Sequence, residues 1–345
     1  MSATTHARPR RSTDRLVGVR HRTWAPWVLG ALVLLGCLGL QVLLQPGAAR
    51  AVTAIFMYVA LAQSWNLIGG YTGYAAFGQV VFFGLAGYTT AVLMTHAHMS
   101  FWLALPISGA VAAGYGMLFG LPLLRLRGHY FAIASLGVAE GTREIVINLS
   151  DLTGGNGGIV IPTVGKDAPT QYLQNEGFYL VFLGLAAAAC VIVGLVSRSK
   201  FGFALRAIHQ DEDAAAAVGV NTTRTKVLAF ALSGLITGVA GSTFAFQQVT
   251  LYPDRLFDVS ITVLMVVMVV IGGAGTVLGP IVGGVGLQFL SEYLREHFTN
   301  YHQFLLGAVI IIAVIFLPQG VVNYVRDARR LRQFSLLDNV RRYRL

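Results

Sequence analysis

Long runs of apolar residues alternate with short polar segments along this chain of 345 residues. The longest run, from Ala51 to Leu124, contains 74 residues without one Asp, Glu, Lys or Arg. Further uncharged runs cover 23–49, 177–197, 227–253, 259–291 and 297–325. Because a helix crosses the hydrocarbon layer with about 20 apolar residues, each run holds at least one crossing and the longest holds three. The pattern predicts an all-α polytopic membrane protein.

We expect about ten transmembrane helices. Their predicted ranges are 26–45, 52–69, 77–94, 102–124, 130–149, 178–196, 227–247, 259–274, 276–292 and 303–320. The first is longer than the apolar core of a signal peptide, so we retain it as a span.

The basic residues give the orientation, since cytoplasmic loops carry an excess of Lys and Arg. With ten spans, 20 basic residues fall in the N-terminal tail, 125–129, 197–226 and the C-terminal tail. Only Arg50, Lys166, Arg255 and Arg295 fall on the opposite side. Both termini are therefore expected to be cytoplasmic. The organisation is a basic tail (1–25), a transmembrane domain (26–322) with a cytoplasmic loop at 197–226, and a second basic tail (323–345).

Composition excludes several classes of function. Hydrophobic residues make up 55% and charged residues 12%, too few charges for the surface of a soluble enzyme. The net charge of +10 belongs to residues at span edges, which indicates membrane orientation rather than nucleic-acid binding. The chain has three lysines, and none completes the Gly-x-x-x-x-Gly-Lys-Ser/Thr loop that binds nucleotide phosphates. We expect no catalytic residue, no metal ligand and no cofactor in this chain.

Polar and aromatic residues in the early spans are candidates for a translocation path. They are Asn66, Gln79, Phe82 and Phe83. Amides in hydrocarbon can equally bond a neighbouring helix, and that structural role remains open for each of them.

Charged residues inside the fifth span are further candidates for the path. Glu140 and Glu144 are spaced so that both carboxylates can approach Arg143. Such a trio either faces a cavity or partner helix, or forms a structural ion pair within the bundle.

Glycines recur at two span ends in similar order, at 68–73 and 271–276. Gly275, Gly279 and Gly283 are expected to lie on one helical stripe and to allow close helix packing, as are Gly234 and Gly238. Gly-interrupted segments can also break helices around a substrate path.

The long cytoplasmic loop has a specific pattern that begins at Ser199 and includes Arg206. Acidic residues at Asp211, Glu212 and Asp213 precede an alanine run and then Gly219, which predicts a short helix with a glycine at its end. We expect Ala214, Ala215 and Val218 to form a small apolar face suited to docking. The alternative is a solvated connecting helix.

These motifs together resemble a family of transport proteins. Over about 52–322 the chain resembles the branched-chain amino acid ABC transporter permeases, specifically the M-type subunit of the Liv system. The motifs are Gly78-Gln79 with Phe82-Phe83-Gly84 and Gly87-Tyr88, the run 124–133, the glycine-rich run 152–158, 204–208 with the acidic residues after it, and Gly272–Thr276 with Gly279-Pro280. Asp213-Ala214-Ala215-xxx-Gly219 resembles the loop by which import permeases contact their ATPases, with Asp in place of Glu.

The resemblance implies a five-part importer in the cytoplasmic membrane. Its other parts would be an H-type permease, two cytoplasmic ATPases that bind ATP and Mg, and an external substrate-binding protein. Related permeases import urea or short amides, so those cargoes remain alternatives to branched-chain amino acids. A stand-alone secondary transporter is the rival from another class, with the trio in the fifth span as its candidate ion site.

Overall fold

A computed structural model describes residues 25–43, 45–162, 175–298, 301–317 and 319–331. Most of the predicted N-terminal tail and the arginines beyond Leu331 lie outside these residues. In chain order the helices are α1 (Ala25–Leu43), α2 (Pro46–Trp65), α3 (Val80–Thr95), α4 (Phe101–Leu123), α5 (His129–Asn148), α6 (Ser150–Thr153), α7 (Asn175–Arg198), α8 (Lys200–Gln210), α9 (Glu212–Ala217), α10 (Thr222–Gln248), α11 (Pro253–Leu256), α12 (Val259–Gly272), α13 (Leu278–His297), α14 (His302–Phe316) and α15 (Val321–Leu331).

The chain is an all-α polytopic membrane protein. Helices lie over each of the ten ranges predicted from hydropathy. Within the described residues, six helical segments are long and apolar enough to cross a membrane, namely Gly47–Gly70, Phe101–Leu123, Gly177–Arg198, Thr222–Gln248, Pro253–Gly272 and His302–Arg326. Helix α3 is apolar but has only 16 residues.

Helix α10 lies at the centre of the bundle and packs against α2, α3 and α4. Its glycines allow this close approach. A Cβ on Gly238 would lie 2.5 Å from the Cβ of Ala112, and one on Gly241 would lie 2.1 Å from the carbonyl oxygen of Phe83. The close packing predicted for Gly234 and Gly238 is therefore confirmed.

The glycine stripe predicted at Gly275, Gly279 and Gly283 is wrong in one member. Gly275 lies in the turn before α13, with a φ of 71°, and the other two glycines are helical. A Cβ on Gly283 would lie 1.8 Å from the carbonyl oxygen of Met268, so α13 folds back closely on α12. The glycine-rich sequence breaks the helix here because left-handed backbone costs glycine little.

A two-stranded antiparallel ladder closes the loop after α5. Strand β1 (Ile159–Val160) pairs with β2 (Thr250–Leu251), which follows α10 directly.

Near the C-terminal end of the described residues, α15 starts after Gly320, whose φ is 80°. The domain boundary predicted at 322 therefore falls inside a helix, because the amphipathic sequence continues the helix past the last apolar run.

Candidate functional site

The segment between α7 and α10 is ordered by local caps and by buried apolar residues. The Ser199 hydroxyl caps α8 by accepting from the backbone of Gly202 at 3.2 Å. Leu205, on the inner side of the same helix, is fully buried. The Arg206 guanidinium donates to the carbonyl oxygen of Ser197 at 2.5 Å, so this residue holds the α7–α8 turn.

Helix α9 forms where the acidic residues and the alanine run predict it. Asp211 is its N-cap, and its carboxylate accepts from the backbone N–H groups of Asp213 and Ala214 at 2.9 and 3.0 Å. Glu212 and Asp213 occupy the first turn. Gly219 follows with a φ of 91°, as a helix-ending glycine should.

The predicted apolar face of α9 is wrong in one residue. Ala215 is buried, with 4% of its surface exposed, while Val218 is 80% exposed and Ala214 is exposed. Ala215 points into the protein because α9 packs on α8 and α10. The exposed apolar residues of this segment are Ala214, Ala216, Ala217 and Val218, and the spacing of Ala214, Ala217 and Val218 puts these three on one side.

Glu212 lies at the centre of a polar cluster that the sequence analysis did not predict. Its Oε1 accepts from Lys226 Nζ at 2.7 Å, and its Oε2 accepts from the Tyr74 hydroxyl at 2.6 Å. The sequence signal was a lone lysine at the start of an apolar run, four residues into α10. Asp213 forms an exposed pair with Arg127 at 2.8 and 3.1 Å, and Arg127 Nε also lies 3.9 Å from Glu212 Oε2.

Both carboxylates have a lowered pKa. Burial acts to raise the pKa of Glu212, but the hydrogen bonds from Lys226 and Tyr74 outweigh it and keep that pKa below its usual value. Hydrogen bonding to Arg127 lowers the pKa of Asp213. Both groups are therefore ionised at neutral pH.

Gln79 lies in a hydroxyl-rich layer inside the bundle. Its Nε2 donates to Ser233 at 2.5 Å and to Thr237 at 3.2 Å, and Ser64 bonds the same threonine at 2.6 Å. The Oε1 of Gln79 has no hydrogen-bond partner among the described residues, although the side chain is fully buried. The amide thus links α10 to the start of α3 and keeps one free acceptor.

The other early-span candidates are also buried within this subunit. Asn66 bonds the turn between α12 and α13, donating to Thr276 O at 2.8 Å. Phe82 packs edge-to-face on Phe230 with ring centroids 5.1 Å apart, and Phe83 has no exposed surface. In this conformation, therefore, none of these side chains faces an open path.

The charged trio of α5 lies at the surface of the protein, in contrast to the buried residues of the early spans. Arg143 donates to Glu140 at 2.5 Å and to Glu144 at 2.8 Å, as the spacing predicts. A fourth member, Asp254 of α11, accepts from Arg143 at 2.7 Å. The three carboxylates are more than half exposed, whereas the arginine side chain is 22% exposed. The trio and the buried amide layer therefore do not form one site.

The exposed charges belong to an uncovered face of α5. Tyr130 and Ile133 are 77% and 68% exposed, and they share this face with Glu140 and Glu144. A Cβ on Gly137 would meet nothing within 4 Å. The opposite face packs on α3, so α5 offers one whole side to another molecule.

No group of three or more His, Cys, Asp or Glu that could hold a metal occurs in the described part of the chain.

The glycine-rich run after α5 forms a tight turn, in which Thr153 Oγ1 donates to Val146 O at 2.6 Å.

Comparison with known proteins gives a consistent match. Residues 47–314 match the family model of the branched-chain amino acid transport system permease component. The chain is 30% identical over 309 residues to the high-affinity branched-chain amino acid transport system permease protein LivM of Salmonella typhimurium, covering 83% of this chain and 72% of the relative. It is 29% identical to LivM of Escherichia coli, with the same coverage.

A third relative is more distant. The probable branched-chain amino acid transport permease protein LivH of Methanocaldococcus jannaschii is 24% identical over 246 residues, covering 67% of this chain and 77% of the relative. No solved structure matches the chain significantly.

Proposed function

The chain belongs to the branched-chain amino acid transport permease family, and on that premise we propose that it is the membrane-spanning permease subunit of an ABC importer for branched-chain amino acids. The observation that carries the proposal is α9. It exposes Ala214, Ala217 and Val218 while its inner side is fixed to the membrane helices, which is what a docking helix for a separate ATPase requires. No covalent chemistry is expected of this chain.

The proposed topology has ten spans, with both termini in the cytoplasm. The proposed location is the inner (cytoplasmic) membrane. The basic-residue asymmetry and the helix over each predicted range support this topology. Helix α3 is short and mostly buried within this subunit. The exposed charged face of α5 fits a bundle in which partner subunits cover part of the surface.

The proposed partners are a second, H-type permease, two ATPases that bind ATP and Mg, and an external binding protein. Two findings support separate ATPases: the sequence has no phosphate-binding loop of its own, and its relatives are named as permease components. The match to a LivH protein supports a paired permease of similar architecture.

For the translocation path we propose two parts. The uncovered face of α5, with Glu140, Arg143 and Glu144, lies against the partner permease or lines the path between the two subunits. Asn66, Gln79, Phe82 and Phe83 form the wall behind it, and they rearrange when the gate opens. The free acceptor of Gln79 supports a conformation in which that amide gains another partner.

Transport in proteoliposomes tests the function and the cargo together. The purified permease pair with its ATPases should take up radiolabelled leucine only when ATP and the binding protein are present, and an ATPase lacking its nucleotide-binding lysine should abolish uptake. If urea or acetamide inhibited this uptake and valine did not, the result would favour urea or short amides as the cargo. Leucine uptake driven by an ion gradient without ATPases would contradict the proposal in favour of a secondary transporter.

A further inference from the structure

Lys226 carries a positive charge that is almost completely buried. Only 3% of its side chain is exposed. Its ammonium has three acceptors: Glu212 Oε1 at 2.7 Å, the Tyr74 hydroxyl at 2.9 Å and the carbonyl oxygen of Leu124 at 2.9 Å. A buried ammonium is costly unless it is paired and hydrogen-bonded, and here all three donors are used.

The three acceptors belong to different parts of the chain. Glu212 is the first residue of α9, Tyr74 lies between α2 and α3, and Leu124 directly follows α4. Lys226 itself is part of α10, the central helix. One ammonium on α10 therefore fastens α9 to the segment between α2 and α3 and to the end of α4.

Tyr74 closes the cluster on a second side. Its hydroxyl donates to Glu212 Oε2 at 2.6 Å, and its ring lies 4.6 Å from Lys226 Nζ. The same ring packs edge-to-face on Phe131 of α5, with centroids 5.1 Å apart. The cluster thus reaches α5, the helix with the uncovered charged face.

The exposed pair beside it is different in kind. Arg127 bonds Asp213 at 2.8 Å, but the two side chains are 61% and 77% exposed. Exposed ion pairs of this type contribute little, whereas removing one partner of a buried pair leaves an uncompensated charge. Arg127 Nε also lies 3.9 Å from Glu212 Oε2, so this pair is connected to the cluster. The control is instead the Glu292–Arg295 pair of α13, which lies outside the segment between α7 and α10.

We propose that Glu212, Lys226 and Tyr74 are positioning residues that transmit the movement of a docked ATPase from α9 to the membrane helices. This inference rests on the proposed function, and it separates docking from transmission. The outer side of α9 binds the ATPase, and the buried cluster makes α9 move with α10, the end of α4 and the segment between α2 and α3. When the cluster is broken, ATP hydrolysis continues and cargo transport stops.

The test compares Lys226→Met, Glu212→Gln and the double variant with the control Glu292→Gln on α13 in the assembled complex. Three quantities are measured in proteoliposomes: the ATPase retained on purification, the rate of ATP hydrolysis, and leucine uptake. We expect retention and hydrolysis to persist in all variants while uptake per ATP falls about tenfold or more in the buried-cluster variants. Glu292→Gln should remain close to the wild type.

A second variant covers the case in which Lys226→Met does not fold. Tyr74→Phe removes one hydroxyl and keeps the aromatic ring, and it should lower uptake per ATP in the same direction by a smaller factor. If the folded variants kept the wild-type ratio of leucine uptake to ATP hydrolysis, the inference would be overturned and the proposed function would stand. Loss of ATPase retention would assign the cluster to docking instead. A wild-type complex that retains no ATPase would contradict the proposed function itself, and the inference with it.

Discussion

The side chain of Asn66 holds the backbone of Gly275, whose N–H donates to Asn66 Oδ1 at 2.9 Å. This bond joins two helix breaks. Asn66 begins the π-helical turn that ends α2, Asn66–Gly70, and Gly275 lies in the turn between α12 and α13. The two glycine-rich segments that resemble each other in sequence are therefore packed together. A contact between two breaks is a suitable place for helices to change direction during gating.

Replacing Asn66 with Ala should destabilise the protein strongly. The change removes a fully buried amide and leaves the N–H of Gly275 and the carbonyl of Thr276, which are partly buried, without that partner, at a cost of about 1 kcal/mol for each group. Asn148→Ala, at an exposed site, is the control. Thermal unfolding in detergent should show a lower Tm for the first variant alone, and equal Tm values would contradict the role of this bond.

Gly241→Ala should also lower the Tm. The added Cβ would lie 2.1 Å from the carbonyl oxygen of Phe83, and a backbone atom cannot move away cheaply. Gly114→Ala on α4 is the matched control, because a Cβ there meets nothing within 4 Å. If both variants kept the wild-type Tm, the α3–α10 contact would be looser than described.

Neutralising the charged trio should impair transport without unfolding the protein. The variant is Glu140→Gln/Arg143→Gln/Glu144→Gln. Because the two glutamates are more than half exposed, their neutralisation should leave the fold intact, and the expected defect is in assembly or in the path. We predict a loss of uptake of about tenfold or more at normal protein level.

The control for the trio is another charged pair on a surface helix, Glu292 and Arg295 of α13. Its double replacement by Gln should leave uptake unchanged. Normal uptake by a stably expressed triple variant would show that the trio is only a structural ion pair.

Labelling in intact cells should confirm the orientation. In a background with Cys37→Ala and Cys190→Ala, an impermeant thiol reagent should react with a cysteine at Asp151 and not with one at Thr223, both exposed positions. The same reagent should fail to reach a cysteine at Ser335. Labelling at Thr223 or Ser335 before the cells are opened would contradict cytoplasmic termini.

The sequence predicted the positions of the helices well because apolar runs and their breaks are local features. It also placed α9, since Asp211 and Gly219 act on their own neighbours. It could not show which side of a six-residue helix faces the protein, and Ala215 was therefore misplaced.

Contacts between distant segments were likewise out of reach. Lys226 and Glu212 are 14 residues apart, and Tyr74 is 152 residues from Lys226, so no helical or strand period connects them. Asp254 joins Arg143 across 111 residues for the same reason. A lysine directly before an apolar span was the one visible signal, because a charge that becomes buried there requires a partner.

The burial of Ala215 changes the way in which docking must be tested. Ala215→Arg would disrupt the packing beneath α9, and Gly219→Val would strain a residue with a φ of 91°, so both alter the helix itself. Val218 is 80% exposed, and a change there leaves the interior intact. Val218→Thr is the matched control, since threonine keeps the branched shape without adding a charge.

The most direct test of the account is copurification of the ATPase subunits with Val218→Arg. The added charge would be buried unpaired in the docked interface, so the account predicts that the variant folds and inserts normally but loses the ATPases and ATP-driven leucine uptake. Val218→Thr should retain both. If the Val218→Arg permease held its ATPases and transported at the wild-type rate, α9 would be a solvated connector and the central claim would be wrong.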